Sequence, residues 1–297
     1  MLDKQKKPTV VALGYFDSVH LGHQKVIKKA KDIAKSGNMS LAIFTFSGNL
    51  KGAIGGDDKC VFLTNERQKF LTSLGADDIY FAKPTKEFLG TDRKDFLDDL
   101  NKKYNISYYV SGDDYTFGAF GKGDAKYLTE YAKSNGQEHI IVDTLSFGKE
   151  KISTTLVKRL LSLGNIKGAN TLLGREYSIS GKVKKDRQVG TQLGFPTANI
   201  ILDKDKYNLR DGVYAGKVNI DDKEHYAIIN YGARPTFDLE QKLMEVHIVD
   251  FYGDLYDKEI EVLFLDFIRE IKKFDSIEDL KAQLTADLTA TKEGKYD

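Results

Sequence analysis

The sequence predicts two domains of different class, a Rossmann-like α/β domain with a parallel sheet followed by a domain of short antiparallel strands. At 297 residues the chain is long enough for two ordinary hydrophobic cores. In the first half, apolar runs alternate with amphipathic stretches, as in parallel strands joined by helical crossovers. After Gly174 short alternating segments replace that rhythm, which is typical of an antiparallel barrel or sandwich. We therefore expect domains at residues 1–174 and 175–297.

The first domain begins with the clearest strand and helix. The apolar run at residues 10–13 ends at Gly14, and Val26, Ile27 and Ala30 then recur at helical spacing. Glycines and few apolar residues mark residues 47–59 as a loop. The other expected strands are residues 41–46, 78–81, 107–111 and 140–142, and the other expected helices are residues 64–74, 91–100, 153–163 and 165–173.

The second domain is expected to contain strands and one closing helix. The strands are predicted at residues 177–183, 212–220, 225–231, 244–251 and 260–268. Ser276 is placed to cap the helix, whose predicted apolar face is Ile277, Leu280, Leu284 and Leu288.

Charge and cysteine content exclude several classes of function. The net charge is +1, so nothing indicates a nucleic-acid or anionic-membrane partner. No apolar stretch reaches the roughly 18 residues of a membrane span. The single Cys60 cannot form an internal disulfide, which favours a cytoplasmic location. The sequence leaves open whether the chain forms a homo-oligomer.

The turn between the first strand and the first helix carries two histidines. His20 and His23 share a face at the start of the helix, and Gly22 lies between them. Free amides and the helix dipole favour an anion there, and phosphate is the natural one. Two alternatives remain open, half of a metal site or simple helix capping, although the few other His and Cys residues supply a zinc cluster poorly.

Three further stretches could contribute to ligand binding. Residues 111–118 are acidic and glycine-bearing and follow a strand, where open parallel sheets place ligands. Residues 151–158 combine hydroxyls and a lysine at a helix start. Residues 181–199 form a basic, glycine-bearing loop that does not match a Walker A sequence. The alternative for residues 111–118 is an ordinary turn, and for residues 151–158 it is an ordinary capped helix. For residues 181–199 the alternative is a solvated turn.

Together these motifs resemble the bacterial bifunctional riboflavin kinase/FAD synthetase family. GYFDSVHLGH is similar to the family's FDGVHxGH pattern, and residues 111–118 and 151–158 stand in the order of its GxDFxFG and ISSTxIR patterns. GFPTAN, which ends at Asn199, is similar to the riboflavin kinase signature. Asp211-Gly-Val-Tyr, Asn230-Tyr-Gly-Ala-Arg-Pro-Thr-Phe, MEVHIVDF and Arg269 follow in family order, so the resemblance covers nearly the whole chain.

The resemblance implies two activities on small-molecule substrates. Riboflavin would be phosphorylated by ATP to FMN on an antiparallel β-barrel with a closing helix, and FMN would be adenylylated to FAD in the first domain. His20 and His23 would stabilise the charge that develops as pyrophosphate leaves, and Glu245 would be the general base of the kinase. Thr197 and Asn199 would hold Mg²⁺ and the ATP phosphates.

The same resemblance implies the ATP-binding residues of each domain. For the adenylyltransferase they are Gly14, Phe16, Asp17, His20, Gly22, His23, Asp114, Phe117, Gly118, Ser153, Thr154, Thr155 and Lys158. For ATP and flavin in the kinase they are Gly181, Lys182, Gly190, Gly194, Pro196, Thr197, Asn199 and Arg269.

Three departures from the family pattern fall in the first domain. Ser18 replaces a usual Gly, Lys158 replaces a usual Arg, and SGNLKG replaces a Pro-His-Pro stretch after Phe46. An ammonium lacks the two-pronged phosphate contact of a guanidinium. One alternative is therefore a riboflavin kinase with weak or lost adenylyltransferase activity. A flavin- or RNA-binding regulator on the same fold is the alternative of another class.

Overall fold

The computed structural model describes residues 7–56, 59–184, 196–221, 223–233 and 242–293. The chain divides into two compact units, Met1–Thr154 and Thr155–Asp297. The expected domain boundary after residue 174 stays a prediction, namely that the chain beyond it folds independently. None of the helices in the described residues is long and apolar enough to cross a bilayer.

The first unit is built on a five-stranded parallel sheet with the order β3-β2-β1-β4-β5. The sheet strands are β1 (Pro8–Leu13), β2 (Ser40–Phe46), β3 (Asp78–Ala82), β4 (Asn105–Gly112) and β5 (Glu138–Val142), and β6 (Ser146–Phe147) and β7 (Glu150–Lys151) form a separate hairpin. The helices are α1 (Leu21–Ser36), α2 (Leu50–Ala53), α3 (Thr64–Ser73), α4 (Lys86–Leu89), α5 (Arg93–Lys103) and α6 (Ala125–Ser134), with a 3₁₀ turn at Ala119–Gly121.

Strand β1 is apolar throughout because both of its faces are buried. Val11 and Leu13 pack into the core on one side of the sheet, whereas Val10 and Ala12 pack into the core on the other. The chain runs from β1 outward to β2 and later returns to β4 on the opposite side of β1. Strand order therefore reverses between β1 and β4, which is where doubly wound sheets form a ligand crevice beyond the carboxyl ends of the strands.

The second unit is a closed antiparallel barrel with the order β10-β11-β12-β9-β8-β13. Its strands are β8 (Tyr177–Lys184), β9 (Thr197–Ile201), β10 (Gly212–Ile220), β11 (Lys223–Ala233), β12 (Lys242–Ile248) and β13 (Glu259–Arg269). Helices α7 (Thr154–Ser162) and α8 (Ile166–Leu173) precede the barrel, and α9 (Ile277–Lys292) follows it. The predicted fold class, an α/β parallel-sheet domain followed by an antiparallel barrel with a closing helix, is confirmed.

Aromatic side chains fill the barrel. Tyr177, Tyr214, Tyr231 and Phe264 are fully buried, and the Tyr214 ring meets those of Tyr231 and Phe264 edge-on. Burial raises the pKa of the Tyr214 and Tyr231 phenols well above their usual range, so both hydroxyls stay neutral. Tyr214 donates to the Arg210 carbonyl, and Tyr231 accepts the Leu209 N–H at 3.2 Å. Successive residues of each strand face opposite sides, so the neighbours of this buried layer face outward.

Several element predictions are wrong. Residues 47–59 contain the short helix α2, and residues 181–199 are not one loop, because β8 extends to Lys184 and β9 begins at Thr197. Helix α6 was not predicted. On the closing helix the expected apolar face is shallow, with Ile277 54% exposed while Asp287 is buried. An ion pair explains that burial, since Arg269 Nη2 lies 2.9 Å from Asp287 Oδ2.

Candidate active sites

The turn between β1 and α1 is buried and strained. Phe16 and Val19 both have φ of 45°, a conformation that is costly for bulky side chains. The intervening Asp17 and Ser18 are also buried. Such a backbone persists only where its surroundings fix it, and it clusters at ligand sites.

His20 is the N-cap of α1. Its Nδ1 accepts the backbone N–H of His23 at 3.2 Å. Because Nδ1 accepts, the proton of the neutral ring lies on Nε2, which is the atom able to donate to a phosphate oxygen. The His20 and His23 rings stack, with centroids 3.7 Å apart and planes 15° apart. Both imidazoles thus stand at the positive end of the α1 dipole, as an anion site requires.

The glycines of this turn make room for rings. A Cβ atom on Gly14 would lie 2.6 Å from the Phe16 ring, and one on Gly22 would lie 3.1 Å from the His20 ring. Phe16 in turn meets His23 edge-on at 5.2 Å. Gly14 and Gly22 therefore leave room for the Phe16 and His20 rings, and Phe16 packs against His23.

Two hydrogen bonds tie other segments to this turn. Asp17 Oδ1 accepts the Val61 N–H at 3.0 Å, and the Ser18 and Thr154 hydroxyls lie 3.0 Å apart. The second bond brings the predicted Ser153–Thr154 pair to the histidine turn. The Ser18 hydroxyl, one of the departures from the family pattern, is the atom that makes this link. Thr155 and Lys158 lie on α7 in the second unit.

The 111–118 cluster meets the 151–154 segment through an ion pair. Lys151 Nζ lies 2.6 Å from Asp114 Oδ2, and both side chains are exposed. Phe117 is buried and stacks with Tyr115 at 5.6 Å. Gly118 has φ of 70° and packs against the Arg93 backbone, so a side chain there is excluded.

A cavity of about 640 Å³ lies beyond the ends of β2 and β4. Sequence reasoning did not identify it, because its lining comes from separate segments of the chain. Most of the lining is aromatic or aliphatic, and it includes Phe44, Phe46, Leu50, Ile54, Phe88, Phe96, Tyr115, Phe117, Gly118 and Phe120. Phe117 and Gly118, predicted near the nucleotide, thus line an apolar cavity of a size that suits a planar aromatic ligand.

The segment after Phe46 that replaces the Pro-His-Pro stretch is held by Arg67. This buried guanidinium donates to the Phe46 carbonyl at 2.8 Å and to the Gly48 carbonyl at 3.0 Å. Tyr15 accepts the Leu50 N–H at 3.1 Å. Burial raises the pKa of the Tyr15 phenol well above its usual range, so it stays protonated. The segment is therefore held in a defined conformation, and its Leu50 lines the cavity.

In the second unit, three polar side chains stand in one row across adjacent strands. Glu245 on β12 is directly opposite Asn199 on β9 and Asn230 on β11. Directly opposite residues have Cβ atoms about 4.5–5.5 Å apart on the same face. Asn230 Nδ2 donates to Glu245 Oε2 at 3.0 Å. The neighbouring row along the same strands, Tyr231, Met244 and Ile200, is fully buried inside the barrel. Because successive residues of a strand face opposite sides, the polar row is on the outer face of the barrel.

Thr197 extends this row by one step along β9. It is opposite His247, whose Nδ1 donates to the Pro196 carbonyl at 2.9 Å. Pro196 and Thr197 also line a cavity of about 410 Å³ with Phe251, Tyr252 and Leu255. The structure therefore places Asn199 and Glu245 directly opposite each other, with Thr197 two residues before Asn199 on β9, and Thr197 is the member of this set that lines the cavity.

The amide oxygens of this row suit a hard cation. Oδ1 of Asn199 and Oδ1 of Asn230 are buried and have no hydrogen-bond partner among the described residues. Within those same residues, no group of three or more His, Cys, Asp or Glu could hold a metal ion. Mg²⁺ prefers oxygen ligands, and this row offers amide, hydroxyl and carboxylate oxygens. The remaining coordination positions would be left for substrate phosphates.

Other predicted kinase residues have structural contacts. A Cβ atom on Gly181 would lie 2.4 Å from Ile200, and Lys182 pairs with Asp257 at 2.9 Å on the surface. Arg269 Nε donates to Asp287 at 3.0 Å, which ties α9 to the barrel. Gly190 and Gly194 lie outside the described residues. The ligand roles of these residues stay predictions. Asn230, which lies in the polar row, was not among the ligand-binding residues predicted from the sequence.

Comparison with known proteins matches both units. The FAD synthetase family model matches residues 2–156, and the riboflavin kinase family model matches residues 173–294. The bifunctional riboflavin kinase/FMN adenylyltransferase of Listeria monocytogenes is 36% identical over 94% of this chain and 90% of its own. The Bacillus subtilis protein of the same description is 32% identical over 97% and 92%.

A solved structure also matches nearly the whole chain. It is a Streptococcus pneumoniae protein described as a macrolide-efflux protein, with a TM-score of 0.88 and 33% identity. The match covers 97% of this chain and 96% of that one.

Proposed function

The chain belongs to the family of bifunctional riboflavin kinase/FMN adenylyltransferases, and we propose that its second unit converts riboflavin to FMN while its first unit converts FMN to FAD. The observation that carries the kinase half is the row of Asn199, Glu245 and Asn230 on the barrel. The stacked histidines at the start of α1 carry the adenylyltransferase half. Both matching family models are of flavin-synthesising enzymes, and neither describes the efflux function named for the pneumococcal protein.

In the kinase reaction, the terminal ribityl oxygen of riboflavin attacks the γ-phosphorus of ATP and ADP leaves. Glu245 accepts the hydroxyl proton as the new O–P bond forms. Asn230 holds the carboxylate through its 3.0 Å hydrogen bond to Oε2, which fixes the direction of proton transfer. Positioning and charge neutralisation supply the remaining catalysis.

Thr197 and Asn199 would hold Mg²⁺, with the Asn199 amide oxygen as the buried ligand. When bound, Mg²⁺ neutralises the charge of the transferring phosphate. Thr197 also lines the cavity that contains Phe251 and Tyr252, so this cavity is our candidate for the purine of ATP.

In the adenylyltransferase reaction, a phosphate oxygen of FMN attacks the α-phosphorus of ATP and pyrophosphate leaves. His20 and His23 donate to phosphate oxygens, where negative charge builds up on the leaving group. The positive end of the α1 dipole adds to this stabilisation. No side-chain nucleophile is needed, because FMN supplies the attacking oxygen.

The aromatic cavity of the first unit is our candidate for the flavin ring. It lies beyond β2 and β4, next to the strand β1 that leads to the histidine turn. A flavin is a planar aromatic ligand, and the cavity is lined mainly by rings. This placement lets the FMN phosphate reach toward α1 while its ring stays among apolar groups.

A single assay tests both halves. The protein is incubated with riboflavin, ATP and Mg²⁺, and riboflavin, FMN and FAD are separated by chromatography over time. We expect FMN first and FAD afterwards. If FMN forms without FAD, the protein is a riboflavin kinase only. If neither FMN nor FAD forms, a binding protein on the same fold is favoured.

Replacing Asn199 by alanine should raise the magnesium requirement of the kinase. The change removes the buried Oδ1, so the Mg²⁺ concentration for half-maximal FMN formation should rise about tenfold or more, as for damaged metal sites generally. Thr197→Ala should act in the same direction. The measurement is a Mg²⁺ titration of initial rates, with Asn219→Ala on the exposed face of β10 as the matched control. An unchanged titration for both site variants would remove these residues from the metal site.

Separate fragments test the domain boundary. A fragment of residues 173–297 should fold and phosphorylate riboflavin, and a fragment of residues 155–297 should do so with a higher melting temperature. The reason is α8, where Ile166 and Leu172 are fully buried and Asn170 donates to the Phe264 carbonyl at 2.9 Å. Burying each such side chain contributes about 1.5–3 kcal/mol. Thermal unfolding with parallel kinase assays gives the answer, and equal melting temperatures would mean that α8 does not stabilise the barrel.

A further inference from the structure

Phe120 is the most exposed large apolar side chain among the described residues, with 95% of its surface accessible. Its backbone has φ of 56° and ψ of 22°, in the left-handed region that an aromatic residue rarely adopts. Both features cost free energy in the unliganded protein. They point to a ligand that covers the ring.

The loop that carries Phe120 is fixed at several points. Phe117 and Gly123 exchange two backbone hydrogen bonds of 2.9 Å, and the Ala119 N–H donates to the Thr91 carbonyl at 2.8 Å. Arg93 Nη1 donates to the Lys122 carbonyl at 2.8 Å, and its guanidinium lies 3.8 Å from the centre of the Tyr127 ring. The backbone that carries the exposed ring is therefore held in place and is not the tip of a loose segment.

Phe120 is also unlike the other rings of the aromatic cavity. Phe44, Phe88 and Phe96 contact one another's rings. Within the described residues Phe120 makes no ring-to-ring contact, and the Lys122 ammonium lies 5.9 Å from the centre of its ring. It lines the cavity nevertheless, together with Ile54, which is 68% exposed. The rim of the cavity thus presents two apolar groups that nothing in the described structure covers.

We propose that Phe120 is a stacking platform for the isoalloxazine ring of FMN in the adenylyltransferase reaction. This inference rests on the proposed function of the first unit. The backbone under the platform is fixed before the flavin arrives, so little backbone entropy is lost on binding. Stacking of a planar heterocycle on an aromatic side chain is worth about 1–3 kcal/mol by alanine substitution. The stacking contact is the same in the bound state and during attack of the FMN phosphate on the α-phosphorus of ATP. It therefore contributes to FMN affinity and not to the chemical step.

The test is a comparison of Phe120→Ala with Phe147→Ala. Phe147 is an exposed phenylalanine of the same unit, on the β6–β7 hairpin and outside the cavity lining. We expect Phe120→Ala to raise the KM for FMN about fivefold or more. Its KM for ATP, its kcat for FAD formation and its riboflavin phosphorylation should stay within about twofold, as for loss of uniform binding. Phe147→Ala should leave all four values unchanged.

A direct probe is available because the chain contains no tryptophan. Phe120→Trp introduces a single indole that keeps the stacking surface, so the KM for FMN should stay close to that of the unmutated protein. Saturating FMN should protect this indole from acrylamide quenching, whereas ATP alone should not. The indole of Phe147→Trp should not be protected by either ligand.

The outcomes separate this inference from the proposed function. An unchanged KM for FMN in Phe120→Ala, or no protection of the indole in Phe120→Trp, would overturn the platform while FAD synthesis stands. Protection by ATP alone would also overturn it, because the ring would then contact the nucleotide. If the unmutated protein made no FAD from FMN and ATP, the proposed adenylyltransferase activity would be excluded. The acrylamide experiment would still decide whether FMN covers Phe120.

Discussion

Replacing Glu245 by glutamine is expected to slow FMN formation about 10²–10⁴-fold, which is the usual loss for a general base. Glutamine keeps the size of the side chain and can still meet Asn230, but its neutral amide cannot accept the riboflavin proton. In the proposed mechanism the carboxylate contacts the reacting hydroxyl and not the nucleotide, so ATP affinity should change by no more than a few-fold. The measurement is the initial rate of FMN formation at saturating ATP and riboflavin, with ATP binding measured separately.

The chain offers a matched control for this substitution. Glu261 is an exposed glutamate on β13 of the same barrel, so Glu261→Gln makes the same chemical change outside the polar row. FMN formation by that variant should be normal. Unchanged turnover in Glu245→Gln would exclude Glu245 as the base, and an equal loss in both variants would point to barrel destabilisation instead.

A good part of the fold follows from local patterns in the sequence. The apolar run at residues 10–13 predicts a strand buried on both faces, and β1 is such a strand at the centre of its sheet. Helix α6 was missed although the signal is local, since Asp124 caps it and Leu128, Tyr131 and Ala132 are spaced as one buried face. Strand β9 was missed because its polar residues Thr197 and Asn199 fall in the stretch that was interpreted as a basic loop.

The candidate sites were predicted where the chemistry lies within one short stretch. His20 and His23 are three residues apart at a helix start, so their proximity follows from helix geometry. Asn230 could not be placed beside Glu245, because its partnership depends on strand register between distant segments. The aromatic cavity was missed for the same physical reason. Its walls, which include Phe46, Phe88 and Phe120, meet only when the sheet and its loops have assembled.

Replacing His23 by alanine is expected to abolish FAD formation from FMN and ATP, with a loss of about 10²–10³-fold or more from removal of one charge-stabilising donor. Riboflavin phosphorylation by the same protein should be unaffected, because it takes place on the barrel. His23 is the better histidine for this test, since its ring is not the cap of α1. The decisive assay supplies FMN directly and measures both FAD and pyrophosphate.

Two further variants separate catalysis from structure at this turn. His20→Asn keeps a strong N-cap acceptor for the His23 N–H but removes the imidazole, so FAD formation should fall while the melting temperature is kept. His139→Gln removes an imidazole elsewhere in the same unit, where the ring bridges the Ser111 and Thr129 hydroxyls and burial lowers its pKa to about 4. That neutral, structural histidine should be dispensable for FAD synthesis. If His23→Ala retained full FAD formation, or if His139→Gln lost as much, the histidine turn would not be the adenylyltransferase site, and the kinase assignment of the barrel would stand alone.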